Sequence, residues 1–244
     1  MNEGKPPKRR GTRREQADES RRKVLTAAYS TFLEYGYHGA TMAEIAARSG
    51  LAVQTVSYFF GTKPRLLSEL VTAAVRFQMG DAPPLESDKW ERAVDRADTG
   101  AHVLETFVDL GHEVLRIVSP LMDVARIGGL TDPDVAEVHR FHEAWRRRDF
   151  EHVVGVLEER GALKEGLAAP RAADVMLSVF GPELYLAFSR GRGWSDDEIK
   201  AWMRGTLVEL LLRLPSAAAS TATATTGATA GTEAAPPHAR DGSA

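Results

Sequence analysis

The 244-residue chain contains no cysteine. That excludes disulfides, thiolate metal sites and thiol-based redox sensing. No uninterrupted apolar run approaches the roughly 20 residues needed to cross a bilayer, so no membrane partner is expected. The N-terminus is basic, but the apolar stretch of a signal peptide does not follow it, and a cytoplasmic location is expected. Strand signals, meaning alternation bounded by turn residues, are nearly absent. Enzyme signatures are missing as well. There is no Gly-rich phosphate loop between a strand and a helix, no HExxH, no GxSxG and no readable pair of carboxylates. The expectation is a protein that is not an enzyme and needs no cofactor.

What is present is an ordinary globular balance, 43% hydrophobic and 27% charged, enough for a core over most of the length. The net charge of −3 hides an asymmetry. Through Lys63 there are 11 Lys and Arg against 6 Asp and Glu, and beyond it 20 against 28. A basic leading segment on an acidic body fits a polyanion-binding module on a carrier domain.

Residues 1–20 are polar and have no apolar period, with Lys8, Arg9, Arg10, Arg13 and Arg14 close together. They read as a disordered basic arm. Residues 216–244 are Ala, Thr, Gly, Ser and Pro with almost no large apolar side chain, and read as a disordered tail. Between them helix follows helix. Residues 21–35 set Val24, Ala28 and Phe32 four apart, with Gly36 as the stop. Short helices follow at 41–49 and 53–60, a longer one at 64–79, and a break at 80–84. Further helices are expected at 89–98, 102–118, 133–160, 171–189 and 195–214. The domain reading is a leading unit at 21–66 and a helical body at 67–215.

The informative stretch is TMAEIAARSGLAVQTVSYFFGTK, residues 41–63. Thr41 three residues before Glu44 is a capping-box pattern for a helix start. Gly50 sits where the chain must turn sharply. After the turn Val56 and Phe60 face the core, and Val53, Gln54, Thr55, Ser57 and Tyr58 are left outside. Two short helices about a Gly-containing turn, the second exposing polar groups, make a helix-turn-helix. Its second helix fits a major groove about 12 Å wide. Gln54 can pair with adenine, and Thr55 and Ser57 can reach a base or a phosphate. Tyr58 can donate to phosphate. Thr41 and Lys63 start helices, where N–H groups and the dipole favour an anion. Arg48 is a further phosphate candidate.

Thr41, Ile45-Ala46, Gly50, Thr55, Tyr58-Phe59-Phe60, Gly61-Thr62-Lys63 and Leu66, with Phe32 and Gly36-Tyr37 upstream, resemble the TetR family of regulators. The resemblance is strong over residues 21–70 and architectural beyond. It implies an all-α fold: a three-helix helix-turn-helix domain, a fourth connecting helix, and a helical body that holds a small-molecule effector and dimerises through its last two helices. Two positions depart from the family pattern. Ala52 stands where a capping Ser is common, and Ser57 where the family has a phosphate-contacting Tyr. The implied partners are double-stranded DNA with a pseudo-palindromic operator, a second copy of the chain, and a small, largely apolar effector. The implied activity is repression relieved by that effector.

In the larger half, Ser195 reads as an N-cap with acidic residues after it and Arg213 in the last turn. Ile199, Trp202, Met203, Leu207, Leu210, Leu211 and Leu214 form an apolar stripe suited to a four-helix bundle between two chains. His102, Phe107, His112, Met122, His142, Trp145 and Tyr185 mix apolar walls with polar handles, as a ligand pocket does. His139 and His142 lie three apart, but no full ligand set accompanies them and no metal is expected. Trp145 to Arg148 reads as a solvated helix face. The rival readings are a ligand-blind DNA-binding regulator and an architectural DNA-binding protein; the helical body after Gly80 argues against the latter.

Overall fold

The computed structural model describes residues 13–79 and 88–213. The first part of the basic arm, the 80–84 break and the tail from 216 lie outside the described residues. Within them the chain is all-α, as expected. The order is α1 Arg13–Gly39, α2 Met42–Ser49, α3 Val53–Phe60, α4 Lys63–Met79, α5 Asp88–Asp95, α6 Gly100–Gly128, α7 Pro133–Glu159, α8 Ala169–Val179, α9 Pro182–Ser189 and α10 Asp196–Leu211.

Helix α1 begins eight residues before its expected start at residue 21, so residues 13–20 are helical rather than an unstructured arm. The stretch contains neither Gly nor Pro, and Glu19 pairs with Lys23 at 2.9 Å across one turn. Once Val24, Ala28 and Phe32 dock in the core, the costly nucleus of the helix exists and good helix formers extend it without an apolar face. Gly36 (φ 65°, ψ −177°) interrupts the helical path near its end, as its place in the pattern predicts.

The expected helix at 171–189 is two helices. The Phe180 backbone departs from helical dihedrals (φ −99°, ψ 47°) and Pro182 restarts the helix within its first turn, where a missing N–H costs nothing. Helix α6 runs ten residues past its expected end at Val118, straight through Pro120. A proline inside a helix costs about 3 kcal/mol; here Leu121, Met122 and Ala125, all buried, offset it. At the other end α10 stops at Leu211, and Leu212 is extended. The Lys164 N–H donates to Leu211 O at 2.9 Å and the Arg213 N–H to Ala162 O at 3.0 Å. Arg213 therefore lies beyond the helix rather than in its last turn. The Ser195 cap is a full capping box with Glu198.

Two apolar clusters divide the molecule. One gathers α1 to α4 with Val118, Leu121, Met122 and Ala125 of α6 and the start of α7. The other gathers the N-terminal half of α6 with α5, α7, α8, α9 and α10. Helix α6 is thus a shaft common to both. At its far end Gly128 meets α1: a Cβ there would lie 2.8 Å from Tyr37 Cβ. Only glycine permits that approach.

Candidate nucleic-acid interface and effector cavity

The reading head is built from α2 and α3. Thr41 caps α2, its hydroxyl accepting from the Glu44 N–H at 3.1 Å. The Glu44 carboxylate accepts from Arg48 at 2.9 Å. Ile45 and Ala46 are buried. Gly50 (φ 71°) makes the left-handed turn, its N–H on Ala46 O and Ala47 O. Helix α3 then starts at Ala52, which supplies no side-chain cap. The Thr55 N–H donates to Ala52 O at 2.9 Å, but no side chain at Ala52 accepts from the Val53 and Gln54 N–H groups, which leaves those two for an anion. Val56 and Phe60 pin α3 to the core. Val53, Gln54, Ser57 and Tyr58 are exposed and Thr55 is half-buried. Tyr58 is 85% exposed, its ring meeting Phe59 edge-on at 5.7 Å between centroids.

The two expected cationic contacts have internal partners. Arg48 donates to Glu34 at 2.7 Å, to Glu44 at 2.9 Å and to the Tyr35 hydroxyl at 2.9 Å, and its guanidinium lies over the Tyr35 ring. Hydrogen bonding to Glu34, then Glu44, raises its pKa still further. It ties α2 to α1. Lys63 donates to Tyr37 O at 2.8 Å and Ala40 O at 2.9 Å, with its ammonium 4.1 Å from the Tyr37 ring centroid. Burial lowers its pKa. It closes the carbonyls at the end of α1 rather than facing outward. The cation that sequence reasoning missed is Arg65. It is exposed in the first turn of α4, beside Gly61 at the end of α3, and among the described residues no carboxylate pairs with it. Its one legible signal was position, two residues past Lys63.

The head is fastened to the body at the α6–α7 corner. The Tyr37 hydroxyl donates to Asp132 at 3.1 Å and His38 bonds Thr131 at 2.9 Å. Asp132 is also the N-cap of α7.

Above this fastening lies a cavity of about 140 Å³ between α4, α6 and α7. Val71 and Val75 of α4 form one wall; Phe107, Leu110, Val114, Val118 and Met122 form a stripe along α6; His142, Trp145, Arg146, Asp149 and Phe150 come from α7, with Phe180 and Pro182 beyond. Phe107, Met122, His142 and Trp145 are therefore brought together along one cavity. Three other expected residues are not. His102 is exposed near the start of α6, a turn short of the lining stripe. His112 is buried on another side of α6 with Nε2 unpartnered, its ring 6.0 Å from that of Tyr185. The Tyr185 hydroxyl donates to Asp196 at 2.6 Å, joining α9 to α10. Arg146 corrects the reading of 145–148 as a solvated face. It donates to Glu143 at 2.5 Å and to Leu177 O and Phe180 O at 3.3 Å each, closing the end of α8 against the cavity.

His142 is the buried polar group of the lining. A ring nitrogen lies 3.2 Å from the Ser68 hydroxyl of α4. Burial depresses its pKa to about 4, so the ring is neutral near pH 7. His139 does not join it in a metal site: among the described residues no three His, Asp or Glu side chains converge.

Residues 24–70 match the family model described as bacterial regulatory proteins, tetR family. The match spans the segment from α1 into α4 that holds the helix-turn-helix, and it is a likeness of that segment. Solved structures extend the likeness to the body. A putative transcriptional regulator from Saccharomonospora viridis in complex with choline superposes with a TM-score of 0.61 at 16% identity, over 81% of this chain and 100% of that one. NalD, the secondary repressor of the MexAB-OprM multidrug efflux pump of Pseudomonas aeruginosa, gives 0.59 at 19% identity over 82% and 98%. A putative TetR-family regulator from Rhodococcus sp. gives 0.60 at 13% identity over 80% and 99%. Comparison with curated proteins finds no match. Among the described residues no helix is long and apolar enough to cross a membrane.

Proposed function

We propose that this protein is a dimeric DNA-binding transcriptional repressor, held on a pseudo-palindromic operator and released when a small, largely apolar effector fills the cavity between α4, α6 and α7. The observation that carries the reading is the double membership of α4. Its Leu66, Leu67 and Leu70 lie in the core of the reading head, while Val71 and Val75 wall the cavity. A molecule in the cavity and the angle of the head therefore act on one rigid element. The effector must bind the DNA-incompetent form more tightly, and by linkage the operator then weakens effector binding by the same factor.

The operator contacts are Thr41, Val53, Gln54, Thr55, Ser57, Tyr58 and the N–H groups opening α3, with Arg65 as the phosphate-facing cation in place of Arg48 and Lys63. Two heads on one duplex need two chains, with recognition helices one helical turn apart or a multiple of it. The exposed Leu210 and half-buried Trp202 and Val208 of α10 supply apolar surface for that pairing, beside α8 and α9. Repression is supported by NalD, which shares the fold and is a repressor. The compartment is the cytoplasm, with the DNA.

The test is a titration of the protein's own upstream DNA, with mass measured in solution by light scattering. Two-fold symmetric protection by a dimer, weakened by Thr55→Ala and Tyr58→Ala without loss of folding, is the expected result. A monomer, or binding indifferent to both changes, overturns the reading.

A further inference from the structure

The cavity is small. About 140 Å³ is close to the roughly 150 Å³ of an apolar cavity that takes up one benzene ring, and well short of the roughly 300–1,000 Å³ of a drug-sized site. It also offers no uncompensated charge. The Arg146 guanidinium is committed to Glu143 and to two carbonyls. Asp149 is not free. His142 is neutral. A charged occupant would shed its hydration with nothing to replace it. What remains is apolar wall and one imidazole, which Ser68 holds through its hydroxyl and its backbone.

Ser68 sits one helical turn before Val71 and two before Val75. The bond from His142 is thus a polar tie from α7 to the connecting helix at the edge of the cavity. At 3.2 Å it lies at the long end of the hydrogen-bonding range. Another hydroxyl can replace it with little penalty, because the buried ring keeps a partner of the same kind.

We propose that the cavity takes an uncharged single-ring alcohol of the phenol type, whose hydroxyl displaces Ser68 from His142 and so unties α4 from α7. This rests on the reading of the cavity as the effector site. The ring fills the apolar volume, the hydroxyl supplies the specificity, and release of Ser68 is the signal. Once released, the Ser68 hydroxyl turns back on a carbonyl of its own helix, a common resting place for a helical serine.

The test uses the full chain, its operator, and phenol and toluene as a pair of nearly equal shape that differ in the hydroxyl. Phenol is expected to bind roughly ten-fold more tightly than toluene, and to lower operator affinity where toluene does so only weakly. Ser68→Ala is expected to weaken operator binding in the absence of any probe and to bind phenol at least as tightly as the unaltered chain. His142→Phe keeps a ring in the wall and is expected to abolish the preference for phenol. Equal binding and equal release by the two probes would overturn the role of the hydroxyl while leaving the cavity as the effector site. Failure of both probes to bind would overturn the cavity reading itself, and the proposal with it. An operator affinity unchanged by Ser68→Ala would overturn the tie.

Discussion

Lys63 and Arg65 stand two residues apart, and the structure gives them opposite tasks. The Lys63 ammonium donates to two carbonyls at the end of α1. Hydrogen bonds to a charged group contribute about 1.5–3 kcal/mol each when buried. Lys63 is only half-buried, so water recovers part of that, and Lys63→Met should cost about 2 kcal/mol in all. For a chain of this size, with about 2–4 °C per kcal/mol, Tm should fall by about 4–8 °C. Protein concentration must be held fixed, because the Tm of the proposed dimer depends on it. If Lys63 makes no phosphate contact, the slope of log affinity against log salt on operator DNA should be unchanged. Arg65→Ala should do the reverse. Stability should stay within about 0.5 kcal/mol, as for an exposed residue without partners. The salt slope should flatten by roughly 0.9 per phosphate, or about 1.8 for two heads on one duplex. Thermal melts and fluorescence anisotropy across a salt series read both quantities. A Lys63→Met protein with an unchanged Tm and a flattened slope would refute the assignment.

Three further outcomes are expected. Tyr58→Ala should leave urea stability within about 0.5 kcal/mol, since the ring is 85% exposed, yet weaken operator binding in the same titration. Gly128→Ala should cost about 1–3 kcal/mol in urea denaturation, because the added Cβ would meet Tyr37 Cβ, an atom fixed to the backbone, at 2.8 Å and one side must give way. Acid should destabilise the protein through His142: with a native pKa of about 4 against an ordinary 6.5, the unfolded state binds the extra proton first. Stability is then full above pH 6.5 and falls by at most about 1.4 kcal/mol per pH unit down to pH 4. The buried His112, also lowered, adds in the same direction, so the check is the difference between the unaltered protein and His142→Phe in urea melts at pH 7 and 5.

The sequence made the reading head legible because its determinants are local. The cap at Thr41, the turn at Gly50 and the inward pair Val56 and Phe60 are all settled within one helix of themselves. The roles of Arg48 and Lys63 were not legible, since their partners Glu34, Tyr35, Tyr37 and Ala40 lie on or beside another helix, and a sequence shows a cation but not what faces it. The break between α8 and α9 was hidden by apolar residues on both sides of it, Val179 and Leu184, which continue a helical stripe across Pro182. Composition picked out Phe107 and Met122 as apolar walls and His142 as a polar handle. It could not say which side of α6 His112 occupies, nor that Val71 and Val75 of a distant helix complete the wall.

The connections around Lys63 bear on how a signal would travel. Lys63 is the first residue of α4 and holds the Tyr37 carbonyl. The Tyr37 side chain in turn holds Asp132, and its neighbour His38 holds Thr131, both at the corner where α6 passes into α7. Gly128 brings the end of α6 against the same tyrosine. The lower end of α4, the end of α1 and the α6–α7 corner are therefore one joined unit, not three separate contacts. A displacement of α4 at Val71 and Val75 cannot be absorbed at its first turn, because that turn is clamped; it must rotate α1 to α3 with it or break the clamp. The two cases differ in their energetics. If the clamp holds, Lys63→Met and Ser68→Ala should be non-additive in operator affinity, since the first removes the rigidity through which the second acts; residues that share one mechanical path show interaction energies of about 0.5–3 kcal/mol. Additive effects within about 0.5 kcal/mol would mean that α4 moves independently of its own first turn, and that the reading head is repositioned through the α6–α7 corner alone.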